Sequence, residues 1–307
     1  MSLKYAVIGS GALGGFYGGK LAHSGKDVHF LFHSDYDYVL KNGLKVDSVH
    51  GDFHLTGINA YRSTADMPKA DVVLVCLKTT NNHLLKSLLP PILHSGTVIV
   101  LIQNGLGVEQ DVASVFPQQP IVGGLAFICS NKIGDGHIAH LDYGKLNLGV
   151  FQGDIDPVVE QIKTDFTEAG VPAEVASDLM QARWQKLVWN IPYNGMTVVL
   201  NTTTDRLMSE TSTRQLSYDL MLEVINGARA CGVEVKESFA DKMMELTDSM
   251  TPYAPSMKLD FDYKRPMEIE YIYSRPVKAA MEAGYAMKKV AMLESQLRFI
   301  QAGLSEI

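Results

Sequence analysis

Cysteine is scarce and scattered in this chain. The three residues, Cys76, Cys129 and Cys231, lie far apart and show no metal-like spacing. An odd count without a disulfide framework points to a reducing, cytoplasmic setting, and each thiol reads as a small apolar side chain for the interior. Long apolar runs are missing as well. Val72–Leu77 is among the longest, far short of the roughly 20 residues that span a bilayer, so no membrane partner is expected. No basic block occurs, and the formal net charge is -7. Such a chain lacks the clustered cationic face that a nucleic-acid partner requires. It still accommodates a small anion, because a few local cations suffice to hold one. The first residues lack the basic start and small-residue cleavage site of a secretory signal. Repeats and low-complexity tracts are absent. What is present is ordinary globular composition, 46% hydrophobic and 20% charged over 307 residues, enough chain for two domains.

The most informative stretch is near the start. Tyr5–Ile8 is a short apolar run that reads as a buried strand, and it breaks into Gly9-Ser10-Gly11-Ala12-Leu13-Gly14 ahead of a helical pattern ending near Gly25. Strand, glycine turn and helix in this order form the fingerprint of a dinucleotide site. Gly9 allows the tight turn, Gly11 lets the backbone approach a pyrophosphate, and Gly14 lets helix and strand pack closely. The helix N-terminus offers amides and a positive dipole end to phosphates. The next strand, Val28–Phe32, ends at His33-Ser34-Asp35. A carboxylate directly after this strand favours the ribose of NAD, whereas a cation or hydroxyl accommodates the 2′-phosphate of NADP. His33 and Ser34 stand first, which favours NADP(H); Asp35 is the opposing signal.

Further along, Leu44–Phe53 suggests a hairpin. Val72–Leu77 has the continuous apolar character of a parallel strand buried on both faces, and it ends at Lys78. Val98–Ile102 ends in Gln103-Asn104-Gly105-Leu106-Gly107. Ligands of open parallel sheets sit beyond the carboxyl ends of the strands, so Lys78 and Asn104 are candidates to meet cofactor or substrate. Three more strand-like segments, 121–129, 136–141 and 145–150, extend the sheet, followed by a helix over 156–168 and a last short strand at 173–176. The expectation is therefore an α/β fold: a Rossmann-type doubly wound N-terminal sheet over 1–176, and an all-helical C-terminal domain over 177–307. Helices are expected at 177–201, 209–231, 237–248, 268–283 and 288–302, and Thr251–Pro255 must be a loop because of its prolines.

Within the first of those helices, Lys186, Asn190 and Asn194 recur every four residues among Trp184, Leu187, Val188, Trp189 and Ile191. On a helix they share one face. A polar ladder in apolar surroundings is costly unless it lines a cavity or is fully hydrogen-bonded; the alternative is a solvated surface stripe. Pro192 should bend the helix at the same place. An ammonium suits the reduction of a 2-oxo group, because it both stabilises the developing alkoxide and supplies its proton.

These segments together resemble the ketopantoate reductase (2-dehydropantoate 2-reductase) family. The resemblance spans nearly the whole chain. It rests on Gly9–Gly14, Leu77-Lys78, Gln103–Gly107, Trp184–Asn190, Pro255-Ser256-Met257 with Asp260, and Glu268-Ile269-Glu270, in the family's order and at about its spacing. The resemblance implies NADPH-dependent reduction of ketopantoate to pantoate in pantothenate and coenzyme A biosynthesis. It also implies a helical domain like the C-terminal domain of 6-phosphogluconate dehydrogenase. Carried over residue by residue, Lys186 is the general acid, with Glu268 as its catalytic partner and ligand to a substrate or ribose hydroxyl. Asn104, Asn190, Asn194 and Ser256 bind the 2-oxo acid. Gly9–Gly14, His33, Ser34, Lys78, Asn104 and Cys129 line the cofactor, and no metal is expected. The family pattern leaves room for a homodimer. Three positions depart from it: His33 for an arginine, Tyr253 for an asparagine, and Tyr273-Ser274 for an Asn-Gly pair. Reduction of another small 2-oxo acid, and non-catalytic sensing of the dinucleotide, are the competing readings.

Overall fold

The computed structural model describes residues 2–304. The chain makes two compact units. One comprises the residues up to Gln103 together with Val108–Leu179; the other comprises Asn104–Gly107 and the chain from Met180 onward.

The first unit is a ten-stranded mixed sheet. Its strands are β1 (Lys4–Ile8), β2 (Asp27–Leu31), β3 (Leu44–Ser48), β4 (Phe53–Leu55), β5 (Asn59–Tyr61), β6 (Val72–Val75), β7 (Val98–Leu101), β8 (Ile121–Gly134), β9 (His137–Gln152) and β10 (Ala173–Val175). Their order across the sheet is β4-β3-β9-β8-β7-β6-β1-β2-β5, with β10 beside β9. From β5 to β8 all neighbours run parallel, and β9 turns back antiparallel to β8. The chain leaves β1 for β2 on one side and returns to β6 on the other, so the strand order reverses at β1. A crevice at the carboxyl ends of such neighbours is where ligands bind in open α/β sheets. The central strands β6 and β7 are fully buried runs of Val, Ile and Leu, and β1 is buried from Tyr5 to Ile8, as the continuous apolar pattern requires.

The helices of this unit are α1 (Ala12–His23), α2 (Tyr36–Asn42), the single turn α3 (Leu85–Leu88), α4 (Val108–Val115) and α5 (Asp156–Glu168). Helix α1 packs unusually close to the sheet because its inner face is glycine. A Cβ at Gly18 would lie 2.7 Å from both Val7 and Phe30 side chains. Helix α5 is fixed to β1 by a buried polar knot. Asp165 accepts hydrogen bonds from the Tyr5 hydroxyl (2.6 Å), the Lys26 ammonium (2.7 Å) and the Gln161 amide (3.0 Å).

Two long strands replace the three short ones expected between 121 and 150. The glycine and polar residues at 142–144 do not end a strand; they bulge it. Register between β8 and β9 slips on either side of the Asp142–Tyr143 step, where Tyr143 and Gly144 adopt φ of 60° and 117°. The extra residues are absorbed while pairing continues, which is what a β-bulge does.

The second unit is helical. It is built on α6 (Leu179–Val199), whose first residue belongs to the sheet unit, and continues with α7 (Thr204–Ser209), α8 (Thr211–Ala230), α9 (Ser238–Ser249), α10 (Ser256–Asp262), α11 (Arg275–Glu282) and α12 (Lys288–Leu304). A π-helical turn, Glu270–Ser274, runs directly into α11. Helix α6 is central, with every residue from Ile191 to Val198 buried. The helix expected at 209–231 is α8; α7 lies just ahead of it, and α10 falls on no expected helix. It is only seven residues long, too short to give a periodic apolar signal.

Candidate active site

Within the sheet unit, the predicted cofactor residues gather at one edge. Strands β1, β2 and β6 are adjacent and in parallel register, so their carboxyl ends bring together the glycine turn, His33-Ser34 and Lys78. Gly9 has a φ of 97°, and a Cβ there would sit 2.6 Å from the Leu77 backbone nitrogen. A Cβ on Gly14 would collide with the Gly9 carbonyl. Both glycines are therefore demanded by the chain's own backbone. Gly11 differs: a Cβ there meets nothing within 4 Å, so the chain itself does not need glycine at this place. Gly11 is also the N-cap of α1, and no side chain caps that helix. Open space over Gly11 and first-turn amides without a capping side chain fit a pyrophosphate. Ala12 and Leu13 form the start of α1. Ser10 donates its hydroxyl to the Leu31 carbonyl at 2.9 Å, so this side chain fastens the turn to β2.

After β2, His33 and Ser34 are exposed, whereas Asp35 is buried. The Asp35 carboxylate is held by the Lys132 ammonium at 2.8 Å and by the Gly136 amide at 3.1 Å. The one carboxylate that could have met a ribose is thereby committed to the β8–β9 turn. Lys78 is half-buried at the end of β6. Cys129 is buried on β8, opposite Asp142. Its neighbour Ser130 donates to the Ala12 carbonyl at 3.3 Å, so this strand passes the start of α1. Sequence reasoning missed Gln103 and Asn82. The buried Gln103 amide donates to the Leu77 carbonyl and to Asn82, both at 2.7 Å, and so ties the Lys78 loop to the end of β7. The Gln103 side of this bond had a signal, since it sits in the quoted Gln103–Gly107 motif.

Within the helical unit, the α6 ladder is no solvated stripe. Lys186 is half-buried, and Asn190 and Asn194 are buried at 4% and 2% exposure. Asn194 accepts the Met257 amide through Oδ1 at 3.1 Å, which places it at the Ser256 end of α10 and leaves Nδ2 to meet any ligand acceptor. Asn190 holds the more telling position. Its Nδ2 is buried with no hydrogen-bond partner. A buried donor left unmade costs on the order of 1–3 kcal/mol, and a site that receives a ligand oxygen is the ordinary reason to retain one. Asn104 lies in the short loop that belongs to this unit. There the Leu106 amide donates to the Tyr271 carbonyl at 2.9 Å, and Gly105 lies so close that a Cβ would be 2.5 Å from the Tyr271 Cβ. Glu268 is buried at the start of the same segment.

Tyr273, an expected departure from the family pattern, is fully buried in the helical unit and donates its hydroxyl to the Ile191 carbonyl at 2.9 Å. Burial holds its phenol far above the ordinary tyrosine pKa, so it stays a hydrogen-bond donor at any working pH.

Comparison with known proteins addresses the whole chain. Residues 5–153 match the model described as ketopantoate reductase PanE/ApbA, and residues 178–301 match its C-terminal counterpart. The chain belongs to the ketopantoate reductase family. It is 50% identical over 302 residues to a 2-dehydropantoate 2-reductase of Nostoc sp., covering 97% of this chain and 95% of that protein. The crystal structure of 2-dehydropantoate 2-reductase from Geobacter metallireducens superimposes with a TM-score of 0.93 at 41% identity, covering 96% and 99% of the two chains. The same fold recurs in D-mandelate dehydrogenase in ternary complex with NADH and anilino(oxo)acetate, with a TM-score of 0.91 at 17% identity over 99% and 100% of the chains. Within the ketopantoate reductase family, then, this chain has the Rossmann-type sheet and the helical C-terminal unit expected from its sequence.

Proposed function

We propose that this chain reduces ketopantoate to pantoate with NADPH, on the route to pantothenate and coenzyme A. The observation that carries the reading is the full-length likeness to a 2-dehydropantoate 2-reductase, 50% identical over 97% of the chain. Held by its pyrophosphate at the glycine turn, NADPH would supply the hydride for the 2-oxo carbon. Backbone amides at Gly11, Ala12 and Leu13 hold the pyrophosphate, and Lys78, Asn104 and Cys129 line the remainder of the cofactor. Lys186 carries the proton that the developing alkoxide needs, and its positive charge stabilises that oxygen beforehand. Asn190 spends its buried Nδ2 on a substrate oxygen, Asn194 contributes its own Nδ2, and Ser256 meets the carboxylate. Glu268 accepts from a substrate or ribose hydroxyl and favours the charged form of Lys186.

Preference for NADPH belongs to this reading. It is supported by the end of β2, where Asp35 is engaged by Lys132 and Gly136 and the exposed residues are His33 and Ser34. Three free thiols fit the cytoplasmic setting that the reading carries. Absorbance of NADPH should fall when purified protein meets ketopantoate. In Lys186→Ala turnover should drop by a factor of about 10² to 10⁴, the usual weight of a positioned proton donor, while NADPH binding persists. Full turnover in that variant would end the assignment of the lysine. A panel of 2-oxo acids ranked by kcat/KM separates ketopantoate from related substrates.

A further inference from the structure

Helix α6 is gripped from outside beside Pro192. Proline at 192 lacks an amide, so the Val188 carbonyl has no partner one turn later. Further along, the Ile191 carbonyl and the Gly195 amide are natural i and i+4 partners. The Tyr273 hydroxyl stands at that rung. It donates to the Ile191 carbonyl at 2.9 Å, and its oxygen lies against Gly195, where a Cβ would be only 2.7 Å away. A carbonyl has two lone pairs, so the phenol braces this turn while α6 runs unbroken from Leu179 to Val199. Glycine at 195 leaves the room for this, because a Cβ there would lie 2.6 Å from Leu293 and 2.7 Å from the Tyr273 oxygen.

Tyr273 is held from its own side too. It lies within the π-helical turn Glu270–Ser274. That turn is anchored before Tyr273 by the Leu106 amide on the Tyr271 carbonyl. After it, Ser274 donates to Glu294 at 2.6 Å and accepts from Arg298 at 2.6 Å. The hydroxyl is therefore delivered to α6 by a segment fixed at both ends, and π turns of this kind are often found at functional sites.

We propose that Tyr273 is a positioning residue for the 2-oxo acid: its hydroxyl, bonded to the Ile191 carbonyl between Asn190 and Asn194, braces that turn of α6 and so fixes the spacing at which the two amides meet the substrate. This rests on the reductase reading above. The departure from the family's Asn-Gly pair at 273–274 then has a physical role. The amide spacing is set by a tyrosine brace, and it selects the shape of the oxo acid rather than the nucleotide.

The test is Tyr273→Phe, which keeps the ring and removes only the oxygen. KM for ketopantoate should rise about tenfold, the weight of one well-placed hydrogen bond, while KM for NADPH stays within about twofold and kcat falls by less than KM rises. Tyr193→Phe is the control. Tyr193 is also buried in α6, but its hydroxyl faces the sulfurs of Met208 and Met244, away from the ladder, so both KM values should stay as in the wild type. Gly195→Ala pushes the same oxygen aside from the helix side and should repeat the Tyr273→Phe split; it keeps the question open to test should Tyr273→Phe not fold. Unchanged ketopantoate KM in Tyr273→Phe overturns the proposal, and so does a parallel rise in both KM values or an equal effect of Tyr193→Phe. Failure of the wild type to reduce ketopantoate sinks the reductase reading instead, and the two failures are distinct.

Discussion

Asn190 offers a perturbation whose effects on folding and on catalysis should have opposite signs. Its Nδ2 is buried and unpartnered, and leaving such a donor unmade costs on the order of 1–3 kcal/mol. Leucine has nearly the same shape and no polar atoms. Asn190→Leu should therefore remove the penalty and, after some loss to imperfect packing, gain about 1 kcal/mol, which is about 2–4 °C in melting temperature. The 2-oxo acid would lose a hydrogen bond to a charged or strongly polar oxygen, about 1.5–3 kcal/mol, or a 10- to 150-fold fall in kcat/KM. Differential scanning fluorimetry and initial-rate kinetics read the two effects on the same preparation. A third measurement closes the argument. Saturating ketopantoate in the presence of NADP should raise the melting temperature of the wild type by mass action, and this increment should shrink in the variant. A variant that melts lower yet keeps wild-type kcat/KM would falsify the placement of this amide against substrate.

The two glycines of the nucleotide turn should behave differently, because Gly14 has no room for a methyl beside the Gly9 carbonyl and Gly11 faces open space. Gly11→Ala should fold with wild-type melting and lose NADPH affinity in fluorescence titration, whereas Gly14→Ala should lose folded yield itself. Asp165 predicts the acid response: burial pushes its carboxyl up, but hydrogen bonds from Lys26, Tyr5 and Gln161 outweigh this and leave it below the ordinary value. A carboxyl lowered in the folded state contributes stability at neutral pH that is lost as pH falls through the acid range. Asp165→Asn should lower the melting temperature at pH 7 by about 6–12 °C, the scale of a broken buried pair, and flatten its decline towards pH 3. His33→Arg should tighten NADPH relative to NADH, as measured by the ratio of their KM values, because a guanidinium grips a phosphate bidentately.

Much of the sheet unit is legible because its signals are local. The buried strands announce themselves as unbroken Val, Ile and Leu, and the glycine turn combines a positive φ with close approach at fixed spacing. The ladder on α6 is visible as a period of four. Its burial is not, since it depends on helices far away in sequence that cover it. Three failures share that cause. The residues at 142–144 read as a turn, yet β9 absorbs them as a bulge because β8 continues to pair on both sides. Asp35 reads as the signal opposing NADP(H), and only the fold reveals Lys132 and Gly136 taking up its charge. Tyr273 reads as a mere departure from the family pattern; its meeting with Ile191, eighty-two positions earlier in the chain, has no local signature.

The loop Asn104–Gly107 has a consequence for how the protein is made. It emerges from the ribosome between two segments of the sheet unit, yet Leu106 packs in the helical core and hydrogen-bonds the carbonyl of Tyr271. A nascent or truncated chain ending near residue 180 would hold an apolar hook with nothing to catch. Completion of the helical part is therefore what seats the hook, and an N-terminal fragment expressed alone should be stickier than its sheet would suggest.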